Sequence, residues 1–386
     1  MSTLKLYFAT NRRHKGRRWQ PTGYDTTFSQ DGMENLRLGV VTVEVDQDPV
    51  AECLQEELRH GTGNGEKLSE YLAGLVGSPD HCSIRAFPEK LDPSASDRNQ
   101  PDNARWGSQA LFEELRQTML ESSDVLVFIH GFNVSWEKAV GSALALQAMV
   151  NLPSDGAPPQ KVAVVLFTWP SDGKALPYAS YKSDRSEAAA SGAAIGRGFL
   201  KVRDYLLGLR AGVRKGGGEV VLCEQEIHLL CHSMGNYVLE NALARLAEFT
   251  PGKTMPRLFD HIFLCAPDVD DTVFEEGQPM VRLHEIARQI SVYCNREDVA
   301  MSISDVTKGN PDRLGHHGAA RPALLHAKVH QIDCTAVVVE GLTEHSYYLA
   351  GRPNADIRMS LNGVPSDDAR RGRVRETTLR NVWSLA

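Results

Sequence analysis

The chain alternates between short apolar runs and clusters of small or polar residues. Asp124–Ile129 runs into His130-Gly131-Phe132-Asn133, and Val162–Thr168 runs into Trp169-Pro170-Ser171. Ile227–Cys231 leads to His232-Ser233-Met234-Gly235, His261–Cys265 to Ala266-Pro267-Asp268, and Ile290–Cys294 to Asn295-Arg296-Glu297-Asp298. Val329–Asp333 is the last such run. Continuous apolar runs of this length suit strands buried on both faces of a parallel sheet. Between them lie helical patterns. Leu239, Leu243 and Leu246 share one stripe of Asn236–Phe249, and Arg185–Leu209 turns from Ala-rich to amphipathic. Alternation of this kind predicts an α/β fold, a mostly parallel sheet flanked by helices and joined by right-handed crossovers. Leu4–Thr10, Leu38–Val45 and Cys82–Phe87 read as three earlier strands, an N-terminal β-containing extension. The pattern divides the chain into an extension at 1–105 packing on the core, an α/β unit at 106–350 and a polar, Arg-rich tail at 351–386. Residues 91–106 read as a loop or linker, and Glu219–Cys223 as a strand-like insert.

In an open sheet ligands bind beyond the carboxyl ends of the strands, which is where this chain keeps its polar clusters. Ser233 lies between a strand and an amphipathic helix, the arrangement of a nucleophile elbow, in which a sharp turn lifts the hydroxyl clear of the sheet. Its alternative role is capping that helix. A serine nucleophile needs a base that is itself oriented by an acid, and on this architecture the chain order is Ser, Asp or Glu, then His. His345, after the last strand, is the expected base; His316, His317, His326 and His330 are the other downstream histidines. Asp298 and Asp268 both end strands and are the two candidate acids, with Glu297 a third. Asp298 occupies the later strand, the usual position, and helix capping is the alternative for Asp268. Two backbone donors are needed for an oxyanion, and the N–H groups of Met234 and Phe132 are the candidates. Asn133, Trp169 and Tyr181 are candidates for contact with substrate; packing is the alternative for these aromatics and for Tyr178.

Composition narrows the classes. The chain has 386 residues, 42% of them hydrophobic and 24% charged, enough for a core without staples. A net charge of −7 disfavours a nucleic-acid partner. The seven cysteines are an odd number without a C-x-x-C pair, which suits a reducing compartment, and the N-terminus lacks the order of a signal peptide. A cytoplasmic location is the expectation. Arg12, Arg13, Lys15, Arg17 and Arg18 form a basic cluster, read as a solvated loop with a weak anionic-surface contact as the alternative. His284-Glu285 lacks the second His of a zinc helix, and Asp268, Asp270 and Asp271 lack the Gly and Glu of a calcium loop. No metal and no cofactor are expected.

Taken together these stretches resemble the α/β-hydrolase superfamily, and more narrowly its DUF900 branch. The matching pieces are Tyr7–Arg12, His130–Asn133, Trp169–Ser171, Tyr181 with Asp184, His232–Asn236, Ala266–Asp268, Tyr293–Asp298 and His345–Tyr347. Cys231 departs from the usual Ala or Gly. The resemblance implies the same roles for Ser233, Asp298 and His345, and it supplies no substrate. The expectation is a serine hydrolase of small-molecule or lipid carboxylic esters. A lipase or phospholipase, an amidase, an acyltransferase, or a non-catalytic scaffold are the alternatives.

Overall fold

The structure is a computed structural model that describes residues 1–88, 107–154, 156–171, 177–216, 226–250, 252, 255–301, 312–338 and 344–386. The Glu219–Cys223 insert and the 91–106 linker lie outside the described residues. The strands are β1 (Ser2–Thr10), β2 (Arg12–Arg17), β3 (Gln20–Phe28), β4 (Arg37–Val45), β5 (Glu57–Leu58), β6 (Gly61–Thr62), β7 (Cys82–Ala86) and β8 (Asp124–Ile129). They continue with β9 (Val162–Thr168), β10 (Ile227–His232), β11 (Phe259–Cys265), β12 (Ala287–Cys294), β13 (Val329–Asp333), β14 (Arg373–Arg375) and β15 (Val382–Leu385). The helices of two turns or more are α1 (Gln47–Gln55), α2 (Gly65–Val76), α3 (Gly107–Leu120), α4 (Trp136–Val150), α5 (Pro177–Gly216), α6 (Gly235–Phe249) and α7 (Gly351–Leu361).

Eleven strands form one sheet in the order β14-β15-β13-β12-β11-β10-β8-β9-β1-β4-β7. From β15 to β1 every neighbouring pair is parallel; β14, β4 and β7 are antiparallel to their neighbours. This is the α/β fold expected from the sequence, with antiparallel strands added at the N-terminal edge. Strand residues alternate between two buried faces. On β8, Leu126 and Phe128 join the core under α2, α4 and α7, while Val125 and Ile129 join the core under α3, α5 and α6. The chain goes from β8 to β9 on one side and then from β9 back past β8 to β10 on the other, so the order reverses at β8, the point where ligand crevices form at the carboxyl end of such sheets.

The ends of the chain enter this sheet. β1 pairs in parallel with β9, so the first residues complete the sheet from within it. The segment after 351, polar in sequence, forms α7, β14 and β15, and β15 pairs with β13. Buried charge explains why such a polar segment folds inward: Arg371 and Arg373 both bond the buried carboxylate of Asp356. Among the described residues no helix is long and apolar enough to cross a membrane.

Candidate active site

Three neighbouring strand ends carry the only non-glycine residues with positive φ among those described. They are Asn133 (φ 58°) after β8, Ser233 (φ 51°) after β10 and Ala266 (φ 45°) after β11. Such conformations cost about 1–3 kcal/mol each and persist only where the surroundings dictate them. At Ser233 the surroundings are explicit. Its N–H donates to the Cys265 carbonyl at 2.9 Å, and its carbonyl accepts from the N–H groups of Asn236 (3.0 Å) and Asp268 (3.2 Å). The Asn236 side chain also donates to the carbonyls of Ser233 (2.9 Å) and Cys231 (3.1 Å), tying both sides of the turn. Cys231 is thus accommodated with its thiol in the core. Gly235 is required by close approach, since a Cβ there would lie 2.5 Å from the Ile129 carbonyl oxygen. The N-cap of α6 is Met234, without a side-chain cap, so Ser233 does not spend its hydroxyl on the helix.

His345 Nδ1 lies 2.8 Å from Asp298 Oδ2. A carboxylate only accepts, so Nδ1 carries the proton and Nε2 presents a lone pair. Asp298 has no exposed surface, and its other oxygen accepts from the Met301 N–H at 3.1 Å. Burial pushes the His345 pKa down, but the bond to Asp298 and the charges of Asp298, Asp268 and Glu344 outweigh it, and the net direction is up. The loop carrying His345 is held through its carbonyls. Asn295 Nδ2 donates to Glu344 O at 3.1 Å, and His232 Nε2 lies 3.1 Å from His345 O. The rings of His232 and His345 are 4.7 Å apart, which brings the Asp298–His345 pair to the residue preceding Ser233.

Of the candidate acids, Asp298 is the one hydrogen-bonded to His345. Asp268 instead accepts from the Tyr181 hydroxyl at 2.6 Å and lies 3.4 Å from Nε of the buried Arg313. Glu297 is exposed. Among the described residues neither the N–H of Phe132 nor that of Met234 donates to a protein acceptor. Gly131 stands against Ser233: a Cβ there would lie 2.8 Å from Ser233 Cβ and 3.3 Å from its Oγ.

A family model described as an alpha/beta hydrolase of unknown function (DUF900) matches residues 108–205 and 221–361. The chain belongs to the DUF900 family. The match begins at residue 108, so the Tyr7–Arg12 stretch counted in the resemblance lies outside it. Among solved structures the chain is similar to a Pyrobaculum calidifontis esterase in a monoclinic form, at 10% identity. That likeness covers 69% of this chain and 95% of that one, with a TM-score of 0.29. No curated protein matches the chain.

The remaining candidates of this DUF900 chain divide. Tyr181 is half-buried, its ring edge-on to Phe132 at 5.7 Å. Asn133 donates its N–H to Asp184 at 2.9 Å, and its buried side-chain oxygen has no partner. Trp169 departs from the pocket expectation. It has no exposed surface, donates Nε1–H to the His130 carbonyl at 3.1 Å and stacks on the His130 ring, so it packs the site from behind. The side chain of Tyr178 lies outside the described residues. Arg12 also departs from its expected place, being 1% exposed and not part of a surface cluster. Strand alternation accounts for this: Arg12 faces inward on β2 while Arg13, Lys15 and Arg17 are exposed. No group of His, Cys, Asp or Glu among the described residues is placed to hold a metal ion.

Proposed function

We propose that this chain hydrolyses carboxylic esters through an acyl-enzyme on Ser233. Ser233 Oγ bonds to the ester carbonyl carbon while His345 Nε2 takes its proton, and the carbonyl oxygen becomes an oxyanion received by the N–H groups of Phe132 and Met234. The imidazolium, held by Asp298, gives that proton to the departing alkoxide as the ester C–O bond breaks. Water then repeats the sequence: His345 takes its proton, the hydroxyl bonds to the acyl carbon, and Ser233 leaves reprotonated as the acid is released. The observation that supports this reading most is the Asp298–His345 bond, with His345 packed against the ring of His232 next to a strained Ser233 whose hydroxyl caps nothing.

The test is hydrolysis of p-nitrophenyl esters together with fluorophosphonate labelling. Ser233→Ala should lose both while keeping its circular dichroism spectrum. Wild-type rates in that variant would overturn the assignment, and a wild-type chain that neither labels nor turns over would point to a binding scaffold.

An exposed basic face favours a lipid ester as a second reading. Arg13, Lys15 and Arg17 alternate along β2 with no carboxylate partner among the described residues. β2 follows β1 at the carboxyl end of the sheet, the end that carries Ser233. Co-sedimentation with phosphatidylglycerol vesicles, lost in a triple Gln variant and absent with phosphatidylcholine, is the expected result; equal sedimentation of the variant counts against it.

A further inference from the structure

Beneath the loop after β8 runs a chain of buried hydrogen bonds that begins outside the family-matched segment. Arg12 Nε donates to Thr168 Oγ1 at 2.9 Å, Thr168 Oγ1 lies 2.9 Å from His130 Nε2, and His130 Nδ1 lies 2.7 Å from the Gly131 carbonyl oxygen. Arg12, Thr168 and His130 are each 1% exposed or less. Every proton can be placed. The Gly131 carbonyl only accepts, so His130 carries hydrogen on Nδ1, and Nε2 is an acceptor. The Trp169 N–H, 3.3 Å from Nε2, requires the same tautomer. Thr168 then donates its hydroxyl hydrogen to Nε2 and accepts from Arg12.

The end of this chain matters because of peptide geometry. The Gly131 carbonyl and the Phe132 N–H belong to one planar, trans peptide unit, so they point in opposite directions and turn together. Whatever holds the Gly131 oxygen aims the Phe132 N–H. Flanking groups are held as well. The Val134 carbonyl accepts from Arg12 at 2.7 Å, the Val134 N–H donates to Ser171 at 3.1 Å, and the Asn133 N–H donates to Asp184. The Phe132 N–H, opposite the Gly131 carbonyl, points away from the His130 ring.

We infer that Arg12 is a positioning residue for the Phe132 N–H, acting through Thr168 and His130. This rests on the reading of Phe132 as an oxyanion donor. Burial, and after it the neighbouring Arg12 charge, push the His130 pKa down to about 3, so its acceptor nitrogen stays available at neutral pH. Burial also pushes Arg12 down to about 10, against the carboxylates of Asp184, Glu137, Glu187 and Asp25, and it remains a cation there.

Thr168→Val tests the relay without removing a charge. An oxyanion donor is worth about 10²–10³ in kcat, so a misaimed one should lower kcat on a p-nitrophenyl ester roughly 10- to 100-fold. KM should stay within about threefold, because the hole is filled only in the transition state. Inhibition by phenylboronic acid, whose tetrahedral adduct on Ser233 places an oxygen in the hole, should weaken in parallel. Thr168→Ser should recover most of the lost kcat, and Arg12→Met, if it folds, should reproduce the Thr168→Val pattern. A Thr168→Val enzyme with wild-type kcat and boronate affinity, assayed well below its melting temperature, overturns the inference. So does a loss confined to KM or to melting temperature. Ser233→Ala run alongside separates the two readings: if it still hydrolyses, the acyl-enzyme falls and this inference with it. If it is dead while Thr168→Val is unaffected, this inference alone falls.

Discussion

Asp356→Asn should destabilise the fold by several kcal/mol while leaving every proposed catalytic group in place. The Asp356 carboxylate is buried on α7 and accepts from four donors: Arg371 Nε (2.8 Å), Arg373 Nε (2.9 Å) and Nη2 (2.6 Å), and the Tyr293 hydroxyl (2.7 Å). Burial alone would raise its pKa, but the two guanidinium charges outweigh it and bring it from 3.8 to about 2. At about 1.36 kcal/mol per unit, that shift corresponds to roughly 2–3 kcal/mol of stability. Because the folded value is the lower one, this stability is present in full above the unfolded pKa and is lost as pH falls through about 2. Removing the charge also leaves two buried guanidiniums facing an amide, a loss of about 3–5 kcal/mol in comparable buried pairs. With an unfolding entropy of roughly 2.1 cal/mol/K per residue, a cooperative unit of this size should melt about 4–6 °C lower. The assay is thermal denaturation at pH 7 by circular dichroism, with urea titration as a check. A variant melting within about 1 °C of wild type would refute the reasoning. Replacing all three groups by apolar residues should recover part of the loss, since the penalty lies in the unpaired charge.

Two further outcomes concern the site. Asp298→Asn should lower kcat about 10³–10⁴-fold by releasing the His345 tautomer, whereas Asp268→Asn should mainly lower the melting temperature by leaving Arg313 underpaired; steady-state kinetics and melting curves on both variants decide this. Since the carboxylates around His345 raise its pKa and the base must be neutral, kcat/KM should rise with pH through an ionisation above 6.5. Asp268→Asn should move that limb to lower pH, and an unchanged pH profile would count against it.

Much of the fold was legible because its strands are continuous apolar runs. The run Leu38–Val45 became β4 and Cys82–Phe87 became β7, each within one residue of its ends. The β2–β3 hairpin was not legible, since β2 turns Arg12 and the half-buried His14 inward and β3 contributes Tyr24 to the core from among polar neighbours, so neither strand is an apolar run. β14 escaped for the same reason: Arg373-Val374-Arg375 reads as surface until Asp356 is placed beneath it. At the site, both candidate acids end strands and differ only in what reaches them from far along the chain. Periodicity carries no such information. Trp169 misled in the opposite sense, because an aromatic beside a polar cluster has the same sequence signature whether it lines a cavity or backs one.

The hidden groups share a pattern. Arg12 braces the loop after β8, whose N–H is proposed to receive the oxyanion. Arg313 lies against Asp268, whose own N–H holds the Ser233 carbonyl. Arg371 and Arg373 reach β12, the strand leading to Asp298, through Asp356 and the Tyr293 hydroxyl. The loop after β8, the Ser233 turn and the strand leading to Asp298 are therefore each backed by a buried guanidinium, while the His345 loop is held by Asn295 and His232. Hydrophobic burial is non-directional and tolerates small shifts at little cost, whereas a planar fork of donors fixes carbonyls and carboxylates in angle as well as distance. Strand ends are where regular backbone pairing stops, so directional restraint there must come from side chains. Polarity read along the chain assigns those side chains to the surface, and it does so at the positions where the site depends on them most.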